Sequence, residues 1–97
     1  MHIITWTRCR EFARRHAAAG KPLRVWRHIV ESSRWSDHHE LLRSLPQTDV
    51  IRGPRVVFDI GGNKYRIVAD VRYDLGRIYI LGVFTHAEYD RIDASQL

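Results

Sequence analysis

Lys64 and Arg66 stand two residues apart in the run GGNKYR, and in an extended chain that spacing puts both side chains on one face. Two cations held that close on a rigid strand can clamp a phosphate and stabilise the extra charge of its pentacoordinate transition state. Losing one such group from an active site costs about 3–4 kcal/mol. Arg72 falls further along the same face. The same alternation also describes a sheet surface kept soluble by charge, and the residues alone leave both readings open. THAEYD is the second constellation: Thr85 and Glu88 have the spacing of a capping box, which places His86 in the first turn of a helix. Free N–H groups and the helix dipole favour anions there, and a histidine so placed can act as acid or base on a phosphodiester. Tyr89 follows one turn later on the same side. General acid–base help of this kind is worth roughly 10²–10⁴ in rate. The plainer alternative is a cap that merely starts a helix, with His86 as a polar surface residue.

The remaining chemistry-bearing residues do not assemble. His38 and His39 are adjacent, so on a helix they diverge by about 100° and cannot chelate one ion together. Neither HExxH nor a paired-cysteine spacing occurs, so neither a metal site nor a cofactor is expected. GGNK lacks the longer glycine spacing and the Ser/Thr after Lys of a nucleotide-binding loop, and reads as a hairpin turn. Cys9 has no base supplied by the pattern; as a single cysteine it cannot form an internal disulfide, which fits a reducing cytoplasm.

Ninety-seven residues make one domain, 1–97, with one modest core. Hydrophobic residues at 44% and three tryptophans indicate a folded globule rather than a disordered basic tail. No apolar run approaches the ~18 residues needed to cross a bilayer, so no membrane association is expected, and MHIITWTRCREF does not read as a signal peptide. The formal net charge is +5, and all basic residues except Lys21 and Lys64 are arginine. Arginine's planar fork binds phosphate in a bidentate way and stacks on bases, which suits nucleic acid, although a GC-rich genome yields the same bias.

The elements that must position these residues follow from periodicity. His2–Thr5 reads as a short edge strand. Thr7 to about Ala19 reads as a helix capped by Thr5 or Thr7 and ended by Gly20 and Pro22. On it Arg8, Glu11 and Arg15 form an ion-paired face, while Arg10 and Arg14 make a mildly repulsive pair. Leu23, Trp26, Ile29 and Val30 define a second helix entered at Pro22, and Asp37 with Glu40 caps a third that runs to about Ser44. Residues 46–55 read as a connector. Beyond Arg55 the period becomes alternating: a strand over Val56–Ile60, a turn at Gly61–Asn63, a strand over Lys64–Tyr73, a turn at Asp74–Gly76 and a central strand over Arg77–Phe84. The last helix starts at His86. This is an α+β layout: an N-terminal strand and helices, then a three-stranded antiparallel meander and a short C-terminal helix.

RVVFDIGGNKYRIVADVRY followed by IYILGVFTHAEYD resembles the HigB-like toxins of the RelE/ParE superfamily, and the likeness extends back through RWSDHHELLRSLPQTDVI and to MHIIT. The resemblance implies a RelE-like fold and a metal-independent endoribonuclease that cuts mRNA in the ribosome and is neutralised by a HigA-type helix-turn-helix antitoxin. It implies that Lys64 and Arg66 sit by the scissile phosphate, that His86 and Tyr89 take part in proton transfer, and that Arg55, Arg72 and Asn63 contact RNA. Two positions depart from the family pattern: Leu81 stands where a basic residue is common, leaving Arg72 or Arg55 to supply the charge, and Gly61 stands where a larger residue is frequent. Leu81 keeps a non-catalytic RNA- or antitoxin-binding module as the alternative; a ParE-like gyrase poison is the third.

Overall fold

The computed structural model describes residues 1–97. Its strands form one five-stranded mixed sheet in the order β1-β5-β4-β3-β2, with β1 at His2–Ile4, β2 at Asp49–Arg52, β3 at Arg55–Ile60, β4 at Tyr65–Arg72 and β5 at Arg77–Thr85. The meander β3-β4-β5 is antiparallel as expected, but it is the middle of a larger sheet. β1 joins β5 in parallel, and β2 lies along β3 inside the stretch read as a connector. All four β2 residues are exposed, so no buried side of Asp49-Val50-Ile51-Arg52 left an alternating trace. Its pairing also breaks register between Val50 and Arg52, as edge strands often do.

The helices are α1 (Thr7–Arg15), α2 (Gly20–Glu31), α3 (His38–Ser44) and α4 (His86–Tyr89). The first helix is shorter than its composition suggests. His16 leaves helical geometry at φ −132°, and Ala17–Ala19 wind on as a 3-10 turn that feeds straight into α2 at Gly20. Neither Thr5 nor Thr7 caps α1; its start follows Trp6, and no side chain bonds the free amides there. In α3, Asp37 accepts from the Glu40 N–H as its spacing implies.

Packing is two-sided and unequal. A cluster of 18 buried residues lies between the sheet and the helices; it includes Phe12, Leu23, Trp26 and Val30 from α1 and α2 and Phe58, Ile67, Val71 and Ile78 from the strands. The opposite face of the sheet carries a smaller cluster, Val57, Val68 and Ala94, with Leu81, Phe84 and Tyr89 packed against it. Ala94 belongs to a C-terminal 3-10 turn, Ala94–Gln96, that folds back over this outer face. Arg55 fastens it by donating from Nη1 to the Ala94 carbonyl at 2.7 Å. The outer face is therefore a covered surface with one end left open, and that end holds the residues of interest.

Candidate active site

The open end is built by the β3–β4 turn and the β5–α4 junction. Gly61, Gly62 and Asn63 all take positive φ, at 62°, 60° and 80°, and Lys64 completes a four-residue turn before β4 begins at Tyr65. This register sets Asp59 opposite Arg66 and Tyr65 opposite Thr85. Across the β4–β5 pair the His86 N–H donates to the Lys64 carbonyl at 3.0 Å, which ties the base of α4 to the turn. Thr85 closes a full capping box: its hydroxyl accepts from the Glu88 N–H, and its own N–H donates to Glu88 Oε1. These bonds engage the N–H groups of Thr85, His86 and Glu88, and they fix the position of α4.

Arg66 is the hub, and it is not on the solvent-facing surface the alternation suggested: only 7% of the residue is exposed. Its Nε lies 3.0 Å from Asp59 Oδ1, and its Nη1 donates to the carbonyls of Asn63 at 2.9 Å and Tyr65 at 3.2 Å. The guanidinium carbon sits 5.7 Å from the centre of the Tyr89 ring, and Nη2 reaches His86 Nδ1 at 3.2 Å. A guanidinium can only donate, so Nδ1 must accept and the proton of a neutral His86 resides on Nε2. That nitrogen faces Asp90 Oδ2 at 3.4 Å. Asp59, Arg66, His86 and Asp90 thus form one polar chain running from the sheet to the exposed helix.

Two further groups frame it. Lys64 is exposed at the rim and takes part in none of the ion pairs. The Tyr89 phenol is held above its ordinary pKa, first by burial and then by the carboxylate of Asp49, which keeps it protonated and able to donate near neutral pH. No three His, Cys, Asp or Glu side chains converge on a point.

The structure thus brings together Lys64, Arg66, His86, Tyr89 and Asn63, the last through its carbonyl. It separates them from Arg55 and Arg72. Arg55 pairs with Asp70, four residues or roughly 13 Å along β4 from Arg66. Arg72 is roughly 20 Å away at the far end of the strand, exposed and paired with Asp74. Lys64 belongs to the turn, so the three cations do not share one strand face. Leu81, at the position where a cation was expected, is the extra residue of a bulge: Val68 pairs with Gly82 and Ala69 with Ile80. Its side chain packs into the outer apolar cluster. Sequence reasoning missed Asp59 and Asp90. Asp90 is the last letter of THAEYD, four residues after His86 and so on the same side of a helix.

A small basic α+β domain with an Arg–His cluster at one end of its sheet is what the geometry defines. Comparison with known proteins makes the assignment specific. Residues 19–92 match the HigB toxin family, described as the RelE-like toxic component of a toxin–antitoxin system, and the chain belongs to that family. It is 28% identical over 94 residues to the mRNA interferase HigB of Escherichia coli O6:H1, covering 95% of this chain and 91% of that protein. It is 28% identical over 92 residues to the mRNA interferase toxin HigB of Escherichia coli K12, covering 93% and 88%.

Proposed function

We propose that this toxin is an endoribonuclease that cleaves mRNA at the Arg66–His86 cluster, as the names of its relatives suggest for them. The observation that carries the reading is the chain Asp59–Arg66–His86–Asp90 opening at the rim beside Lys64. The reaction is attack of the ribose 2′-OH on the adjacent phosphorus with loss of the 5′-oxygen, leaving a 2′,3′-cyclic phosphate and a 5′-OH end. It needs a base, an acid and cations, and each has a candidate here.

In the resting arrangement the Nδ1 lone pair of His86 is occupied by Arg66. A phosphate at the rim is a stronger acceptor than an imidazole and draws Nη2 away, while Asp59 keeps the rest of the guanidinium in place. Nδ1 is then free to take the 2′-OH proton, with Asp90 steadying the charged ring. Tyr89 donates its proton to the departing 5′-oxygen, and Lys64 offsets charge on the phosphoryl oxygens. Arg66 thereby links substrate binding to release of the base. Arg55 and Arg72, roughly 13–20 Å off by strand spacing, are candidates for more distant RNA contacts only.

The family points to an antitoxin partner; a HigA-type helix-turn-helix protein, a ribosome-bound message and the cytoplasm as the place of action complete the proposal. No helix is long and apolar enough to cross a membrane. The test is controlled expression with transcriptome-wide mapping of mRNA 5′ ends. The native chain should arrest growth and produce new 5′-OH ends, and His86→Gln and Arg66→Gln should abolish both while the His86 variant keeps its melting temperature. Absence of new ends from the native chain would sink the reading. It would favour the non-catalytic binding module instead, the alternative supported by the uncharged bulge at Leu81.

A further inference from the structure

The edge of β5 has two halves. β1 pairs only with Arg77–Tyr79, so beyond that point no strand lies against β5 on the side away from β4. α1 runs beside this free stretch instead, leaving a groove of about 290 Å³ between Arg8, Glu11 and Arg15 on the helix and the Leu81–Phe84 edge, with Phe12 beneath. Residues 8, 11, 12 and 15 share one side of α1, and the two arginines are two turns, or roughly 10 Å, apart. The charge on this wall is uncommitted. The ion pairing expected from Arg8-Glu11-Arg15 is absent: the five ion pairs in the protein involve none of them.

The groove leads to the candidate site. β5 runs from Leu81 into Thr85 and His86, and α1 ends at Arg15 followed by His16. The His16 ring stacks on Phe12 at 4.4 Å between centroids and lies 6.5 Å from Tyr65, the cross-strand partner of Thr85. Glu88 of α4 ionises below the usual carboxylate range, chiefly because the Thr85 N–H donates to it and in smaller part because His16 and Arg15 bring positive charge near.

We infer that the α1–β5 groove is a track for single-stranded RNA, in which Arg8 and Arg15 hold backbone phosphates of the segment leading to the scissile position. The inference rests on the RNA-cleaving reading and extends it to residues outside the Arg66–His86 cluster. A partner peptide is the less suitable occupant. A strand added to this edge needs evenly spaced N–H and C=O groups, and the bulge at Leu81 breaks that spacing. Backbone phosphates have no ladder register to match, and two of them can sit on Arg8 and Arg15, roughly 10 Å apart, on either side of Glu11.

The test compares Arg8→Gln/Arg15→Gln with Arg10→Gln/Arg14→Gln, which removes the same charge from the opposite side of the same helix. All four arginines are exposed, so both doubles should melt with the parent chain. Binding of a fluorescein-labelled unstructured single-stranded RNA is measured against salt in the His86→Gln background, where the RNA stays intact; mRNA end mapping in cells uses the same doubles with His86 present. For each phosphate the protein no longer neutralises, the slope of log K against log[salt] falls by about 0.7 in magnitude, so the groove double should lose about 1.4 and the control double close to nothing. Cleavage in cells should fall with the groove double only. Equal slopes for both doubles would reduce the effect to diffuse charge and overturn the track. So would an unchanged slope in the groove double, no RNA binding by the parent, or loss of antitoxin capture in place of RNA binding. If the native chain cuts mRNA and the groove double cuts equally well, the track falls and the enzyme reading stands; if the native chain leaves mRNA uncut, the enzyme reading itself falls.

Discussion

Asp59→Asn is the sharpest perturbation available, because Asp59 touches no candidate reacting atom yet holds the residue that does. The Asp59 and Arg66 side chains are 17% and 9% exposed, with Nε and Oδ1 3.0 Å apart. Breaking a fully buried pair by removing one partner costs about 3–5 kcal/mol, since the charge left behind has lost both water and its counter-ion. Here Arg66 keeps two carbonyl acceptors and the face of Tyr89, and one flank of the pair reaches solvent. The expected loss is therefore smaller, about 2–3 kcal/mol. For a domain of this size that corresponds to a drop of about 8–24 °C in melting temperature. Arg66→Met alone should cost a similar amount, by leaving Asp59 unpaired. The double variant Asp59→Leu/Arg66→Met should recover most of the loss, because apolar replacement of an entire buried pair is often neutral or stabilising. Thermal melts and urea titrations of the native chain, Asp59→Leu, Arg66→Met and the double variant close the cycle, and mRNA end mapping follows function. The double variant should be stable and inactive. A coupling near zero, or a single-variant loss under about 0.5 kcal/mol, would show that the pair does not hold Arg66 and would undo the account of how it is aimed.

Three smaller effects follow from the same contacts. Thr85→Ala removes the hydroxyl half of the capping box and should cost about 1 kcal/mol, with a larger proportional loss of cleavage because α4 carries His86; urea titration and end mapping of one variant check both. Gly61→Ala leaves ordinary contacts, 3.4 Å from the new Cβ to Pro22 and to Tyr65, but imposes a left-handed conformation at φ 62° on a Cβ-bearing residue. A destabilisation of about 1–2 kcal/mol is expected, and a change below a few tenths in the urea titration would contradict it. Burial pushes the Tyr73 hydroxyl, which contacts His38 Nδ1, up to about 12. The folded state keeps that proton longer than the unfolded chain, whose tyrosines ionise near about 10. The contribution is complete below about pH 10 and is lost as pH rises towards about 12, so the urea midpoint should fall more steeply there in the native chain than in Tyr73→Phe.

The elements with one strong period were legible. The β3-β4-β5 meander, the second helix and both capped helices appear where their patterns put them, because burial on one side writes a period into the chain. β2 was illegible because it buries nothing. The end of α1 was obscured by a different cause: Ala17–Ala19 are good helix formers, and the break lies in the backbone of His16, whose ring stacks on Phe12. At the site, a single residue of turn length decided the outcome. A three-residue turn ending at Asn63 pairs Ile60 with Lys64 and Asp59 with Tyr65, leaving Arg66 without its carboxylate. The four-residue turn moves each partner by one and sets Asp59 against Arg66. Residue types offered phosphate chemistry as one of two readings, but the register of one hairpin determines which cation is buried and paired.

Leu81 takes on a different meaning in this frame. A cation at the bulge of β5 would face the outer apolar cluster, where Val57, Val68 and Ala94 are almost wholly buried. Leu81 is half-buried against this cluster, so a cation in its place would lose part of its hydration without a partner, and the leucine suits the apolar surface that the folded-back C-terminal turn also covers. With the outer face closed by that turn, the proposed RNA strand meets positive charge at the rim and on the other side of β5. Lys64 supplies the first, and Arg8 and Arg15 stand unpaired along the second. Unpaired positive charge thus flanks β5 at Lys64 and on α1, away from the apolar outer face.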